Sequence, residues 1–287
     1  MKNLILTILT CLVTLVAKAQ DNPAYRIFTS DGEKTDYSTM IETVSKADVI
    51  FVGETHNCPI AHWMEYEIIS DIARKCPKGL VLGAEMFESD NQLLLDEYVS
   101  GLISSDRFES EAKLWDNHYT DYAPLLYLAR DKGLRFIATN VPRRYASYVK
   151  DNGLEALKDL SDAAKALMAP LPIAYDEASA ENEMFAFMNM MAGHDSQSHY
   201  AEAQALKDAT MAWFIAENSD RKFIHINGNY HSDSNGGIIP YLNRYLLDKD
   251  VATICCVRQE EISRLDEDNR DRADFIICVP EEMTMTF

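Results

Sequence analysis

The stretch "DVIFVGETHNCP", Asp48 to Pro59, decides the fold. Val49 to Val52 form an unbroken apolar run, the pattern of a strand buried on both faces. The polarity then reverses at once. Gly53-Glu54-Thr55-His56 delivers a carboxylate and an imidazole to the strand's carboxyl end. Pro59 suits the first turn of a helix, which the sequence carries to about Lys75. "KFIHINGNYH", Lys222 to His231, repeats the pattern far along the chain, ending in Gly228-Asn229-Tyr230-His231. Two strands that each close on Gly-x-x-His read as two walls of one site.

Working outward, "YRIFTSDGEKTDYS" reads as two short strands joined at Asp31-Gly32, with Ser38 capping a helix to about Val44. "GLVLGAEMF" is a buried strand ending at Ala84, with Glu85 beyond it. Helices follow over Asn91–Val99, Ser105–Leu114 and about Pro124–Lys132. "LRFIATNVP" is a strand ending at Thr139-Asn140, and Pro142 opens the next helix. No strand is predicted between about Asn152 and Asn218. The strand 222–227, a helix from Gly237 to Leu247, and the strands "VATICCV" and "DFIICV" complete the order. Short apolar strands alternating with helices give an α/β fold: a mostly parallel central sheet flanked by helices, with an inserted helical subdomain at about 152–218. In such sheets ligands collect at the carboxyl ends of the strands. Glu54, His56, Glu85, Asn140 and His231 would therefore meet at one edge.

The first nineteen residues read as a secretory leader: Lys2, an apolar run from Leu4 to Ala17, and the cleavage site Ala17-Lys18-Ala19. Residues 20–287 then form one exported domain, in the periplasm or cell envelope. Cys11 is a poor lipid-anchor site, with Leu9-Thr10 before it. The leader holds Lys2 and Lys18 and no acid, so its loss takes the net charge from −19 to −21. That acidity argues against nucleic acid as a partner, because phosphate binding needs clustered Lys and Arg. Five cysteines remain, too few and too scattered for a disulfide scaffold or a zinc–thiolate cluster.

Two chemistries suit Glu54, His56, Glu85 and His231. They could ligate a divalent metal, with His56, His231 and Glu85 as ligands. They could equally act without metal, a His serving as base on water while a Glu holds its tautomer. Spacing leaves both open. His62, near the start of the predicted helix, joins the candidates, and Arg143 is placed as an anion clamp. His118 reads as a loop contact or a ligand, and His225, inside its strand, as a satisfied core residue. Met184, Met188, Met190, Met191, His194, His199 and Tyr200 include haem-ligand types, although Met at helical spacing is ordinarily core. The sequence contains no G-x-S-x-G, Walker loop, G-x-G-x-x-G, H-E-x-x-H or C-x-x-C-H.

"VGETHNCPIAHWMEYEII", "GAEMFESDNQLLLDEYVSG", "YAPLLYLARDKGLRFIATNVPR", "AQALKDATMAWFI" and "INGNYHSDSNGGIIPYL" resemble, in order, successive blocks of the ChaN-like family of haem-binding envelope proteins. The resemblance extends to erythromycin esterase-like enzymes and, more distantly, to Tiki and TraB proteins. It implies haem or iron as ligand, a homodimer, and an outer-membrane uptake system as partner. It also implies a tyrosine on the iron, for which Tyr119, Tyr122, Tyr145 and Tyr148 are candidates by position. In the esterase-like relatives, Glu and His at these strand ends serve hydrolysis, in some with a metal.

Overall fold

The structure, a computed structural model, describes residues 22–76, 79–175 and 199–287. Its centre is an eight-stranded sheet. The strands are β1 (Arg26–Thr29), β2 (Lys34–Thr35), β3 (Val49–Glu54), β4 (Leu80–Glu88), β5 (Arg135–Asn140), β6 (Lys222–Gly228), β7 (Val251–Gln259) and β8 (Phe275–Pro280), in the spatial order β2-β1-β8-β7-β3-β6-β4-β5. The six strands from β8 to β5 run parallel, and β1 adds antiparallel to β8. The α/β expectation is met.

Helix α1 (Tyr37–Val44) begins two residues earlier than a Ser38 cap would place it. Its cap is Asp36, whose Oδ1 accepts from the Thr39 amide at 2.8 Å and from Ser38 Oγ at 2.6 Å. Ser38 therefore supports the cap instead of forming it, since the carboxylate two residues upstream takes the Thr39 amide. Helix α2 (Pro59–Lys75) starts on its proline as expected, and α3 (Gln92–Val99) starts after a short 3-10 turn. Helix α4 (Ser105–Glu111) stops before Leu114. Helices α5 (Ala123–Lys132) and α6 (Arg143–Asn152) flank β5. Helices α7 (Asp162–Lys165) and α8 (Tyr200–Glu217) lie in the stretch read as strand-free, and α9 (Ile238–Tyr245) precedes β7.

Strand alternation divides the core between two faces. Ile50, Val52, Leu82 and Ala84 pack with Ile68, Ile69 and Ile72 of α2 and Leu125 and Leu126 of α5. Val49, Phe51, Val81 and Phe223 face the other way, onto Met211, Ala212 and Ile215 of α8 and Ile238 and Leu242 of α9. With both faces covered, the central strands can be apolar throughout. Among the described residues no helix is long and apolar enough to cross a membrane. Residues 1–21 and the methionines from Met184 to Met191, with His194, lie outside the described residues.

The register sets the site. Glu54 pairs with Gly228, so β3 and β6 end at one level, and the pairing of β4 with β6 stops two residues before it, at Ala84 and Ile226. Strand β4 does not stop at Ala84 as expected; it runs to Glu88, with a register shift before Glu88 meets Asn140. Such irregularities in a ladder re-aim side chains beside sites. Glu85 sits within this one.

Candidate functional site

Two glycines let the strand ends close up. A Cβ on Gly53 would lie 2.7 Å from Asn229 Oδ1, and one on Gly228 would lie 2.8 Å from the His56 ring. With hydrogens there, the loop after β6 folds over the end of β3. Asn229 is held by its Nδ2, which donates to the Cys256 carbonyl at 2.7 Å.

Two imidazoles stand at this edge, each anchored by carboxylates. His56 donates from Nδ1 to Glu54 Oε1 at 2.6 Å, and its ring packs edge-on to Trp115 at 4.9 Å. Burial pulls the His56 pKa down, but the Glu54 hydrogen bond and the Glu85 and Glu54 charges outweigh it, so the net shift is upward. His231 lies between two acids: Nδ1 is 2.5 Å from Asp208 Oδ1 and Nε2 is 3.1 Å from Glu85 Oε1. Burial again opposes, yet the two anions raise it to about 10, and both ring nitrogens carry protons. Glu85 also accepts from the Gly228 amide at 2.9 Å. Although burial pushes it up, the His231 charge and its hydrogen bonds hold it down at about 2.

These groups line a cavity of about 790 Å³, within the range that takes a small ligand. Glu54, His56, Glu85, Asn140, Arg143 and His231, all anticipated from the sequence, are on its wall. Asn140 donates to the Glu85 carbonyl at 2.9 Å and leaves its own buried Oδ1 without a partner. Arg143 pairs through Nε with Glu88 at 2.8 Å while its side chain stays more than half exposed, so it stands at the mouth.

The remaining candidates lie elsewhere. His62 is beneath the floor, 3.2 Å from Glu54 Oε2. Tyr122 is buried and donates its hydroxyl to Glu54 Oε1 at 2.7 Å. Tyr119 is exposed. Tyr145 packs in the cluster of Val141, Leu157 and Leu206, under the Arg144 guanidinium. Tyr148 is exposed on α6. His118 is buried among Phe87 and Phe108, and burial alone lowers it to about 4. His225 is satisfied in the core by Thr139 Oγ1 and Asn227 Oδ1 at 2.8 and 3.0 Å. Of the described Met-rich candidates, His199 ion-pairs with Glu202 and Tyr200 packs under Lys150.

Sequence reasoning missed Trp115, Lys207, Asp208 and Tyr230. Trp115, Lys207 and Tyr230 line the cavity, and Asp208 anchors His231. For Asp208 a signal existed: an acid within the apolar run "ALKDATMAWFI" has to find a buried partner. Among the described residues, Glu54, His62 and Glu65 bring ligand-type atoms within 4.8 Å of one another; His231 has both nitrogens on carboxylates.

A family model described as haem-binding uptake, Tiki superfamily, ChaN matches residues 40–242. Among solved structures, a ChaN of Campylobacter jejuni, described with cofacial haem binding, superposes with a TM-score of 0.69 at 16% identity, covering 90% of this chain and 98% of that one. An erythromycin esterase in an open conformation superposes at 0.51 with 11% identity, covering 91% and 98%. The Arabidopsis thaliana protein RETICULATA-RELATED 5, chloroplastic, is 26% identical over 141 residues, 47% of this chain; the match spans only 19% of that longer relative.

Proposed function

This chain belongs to the ChaN-type haem-binding uptake family, and we propose that it is exported and holds haem in the strand-end cavity as cargo for iron acquisition. The observation that carries the reading is the cavity's composition. Trp115, Val141 and the Tyr230 ring give it apolar wall, Lys207 and Arg143 bring two cations, and the Tyr230 phenol supplies an oxygen donor. A flat macrocycle with two carboxylates and a ferric centre requires those three elements.

We assign the iron ligand to Tyr230, the phenol on the cavity wall, because a tyrosine is the ligand type the family resemblance implies. His231 has both nitrogens on carboxylates, and His56 has Nδ1 on Glu54. Burial and the Asp208 charge push the Tyr230 phenol above its ordinary value, so its proton leaves only when a cation takes the oxygen. The support for export is the leader-like stretch at residues 1–19. A homodimer and an outer-membrane uptake system are the partners this reading requires.

Haemin titration of the purified chain tests it. A saturable Soret band with a tyrosinate-like high-spin spectrum is expected, and Tyr230→Phe should weaken binding at least about tenfold and change the spectrum. A flat difference spectrum would sink haem as the native ligand.

One observation favours a second reading, a hydrolase. His56 Nδ1 is fixed on Glu54, which leaves Nε2 beside Gly228 on the cavity wall. That is the arrangement of a general base with its orienting carboxylate. Absence of a Soret band, together with ester hydrolysis abolished by His56→Ala, would put this reading first.

A further inference from the structure

Beneath the cavity floor, shielded from solvent, three acids surround one imidazole. Glu54, His62 and Glu65 are 2%, 6% and 0% exposed. His62 Nδ1 lies 3.2 Å from Glu54 Oε2 and 3.5 Å from Glu65 Oε2. Its other nitrogen is committed: Nε2 donates to the His56 carbonyl at 3.1 Å and stands 3.3 Å from Asp121 Oδ2, which Asn117 holds at 2.7 Å. Nε2 therefore carries a proton, and Nδ1 is the atom turned towards the two carboxylates.

Those carboxylates are incompletely satisfied. Glu54 Oε1 accepts from both His56 and Tyr122, but Glu54 Oε2 and Glu65 Oε1 are buried without a well-formed hydrogen bond. Buried carboxylate oxygens are costly unless a hydrogen bond or a cation meets them. The spacing suits a cation. Ligands about 2.1 Å from a tetrahedral zinc stand about 3.4 Å from one another, close to the separations around His62. An imidazole whose far nitrogen donates to a carbonyl and a carboxylate is also the arrangement that surrounds metal-bound histidine.

We propose that Glu54, His62 and Glu65 form a buried site for one first-row divalent cation of the zinc or manganese class, beneath the cavity and separate from its contents. Glu54 would then serve two sites, turning Oε1 to His56 and Oε2 to the metal, so that the cation fixes the strand end on which the cavity is built. Binding displaces the proton from His62 Nδ1 and any proton held by Glu65. The proposal does not depend on haem binding.

The test uses the full chain, stripped with a chelator and then offered zinc or manganese. Elemental mass spectrometry should find about one equivalent per chain, and Tm should rise by about 5 °C at a hundredfold excess over Kd. Both effects should vanish in Glu65→Gln, with haemin binding measured alongside as an independent readout. The competing arrangement is a His62 imidazolium beside two acids that share a proton. In that case the wild type takes up no metal, and Gln, which mimics a neutral acid, is tolerated without consequence; that result overturns the proposal. Uptake that persists in Glu65→Gln also overturns it, by placing the metal elsewhere. Should Glu65→Gln fail to fold, His62→Gln takes its place: loss of uptake supports the site and persisting uptake overturns it.

Discussion

Replacing His231 with Ala is expected to lower the unfolding free energy by about 3–5 kcal/mol, because it strands Glu85 and Asp208 as buried anions without their shared cation. The loss should depend on pH. His231 is raised from 6.5 to about 10 in the fold, so its contribution is complete below about 6.5 and disappears as pH climbs towards 10. Glu85, lowered from 4.5 to about 2, contributes fully above about 4.5 and loses its contribution as pH falls towards 2. Asp208 has the opposite sign: despite its 2.5 Å contact with His231, burial and the Glu85 charge raise its pKa. One imidazolium is shared by two carboxylates, and Asp208 is the acid that protonates more readily. Urea unfolding of wild type and His231→Ala at pH 6 and pH 9.5 is the measurement. The gap between the two proteins should narrow at the higher pH. A gap of equal size at both would contradict a protonated His231.

Glu54→Ala is expected to cost a similar amount, about 3–5 kcal/mol, by removing the carboxylate that faces His62, His56 and Tyr122 together. Glu54→Gln should cost less, because an amide oxygen still accepts one hydrogen bond. The Tyr122 hydroxyl bonds a buried charge, so Tyr122→Phe alone should cost about 1.5–3 kcal/mol. In the Glu54→Ala background Tyr122→Phe should cost much less, a non-additivity that a double-mutant cycle reads directly. The same change should lower the His56 pKa, since Glu54 supplies two of the interactions that raise it; the imidazole shift in NMR follows this. An unchanged His56 titration in a folded Glu54→Ala protein would mean that Glu85 alone governs it.

Much of the architecture is legible in the chain. Val49 to Val52 is a continuous apolar run, and Phe223 to Ile226 is apolar but for the buried His225, the pattern of doubly covered strands. The Gly-x-x-His endings place Glu54, His56 and His231 at one edge, and they do converge on a single cavity. The departures are local. The helix cap that Ser38 suggests is Asp36, two residues earlier, and the strand that reads as ending at Ala84 runs on past a shift in its pairing. Neither register shifts nor competing caps follow from periodicity.

The partners were less legible. Asp208 lies 23 residues from His231 in sequence and Glu85 lies 143 from Gly228, and nothing local links them. The positions of the tyrosines are likewise set by the tertiary structure. Tyr122 is spent on Glu54 and Tyr119 faces solvent, while Tyr230, two residues after Gly228, reaches the wall. What the sequence determined by itself is the order of strands and helices and the polar ends of β3 and β6, because burial on two faces and the turn chemistry of glycine are read within a few residues. What only the tertiary structure decided is which acid meets which imidazole, since that depends on register between β3, β6 and β4 and on the helix α8 laid across them.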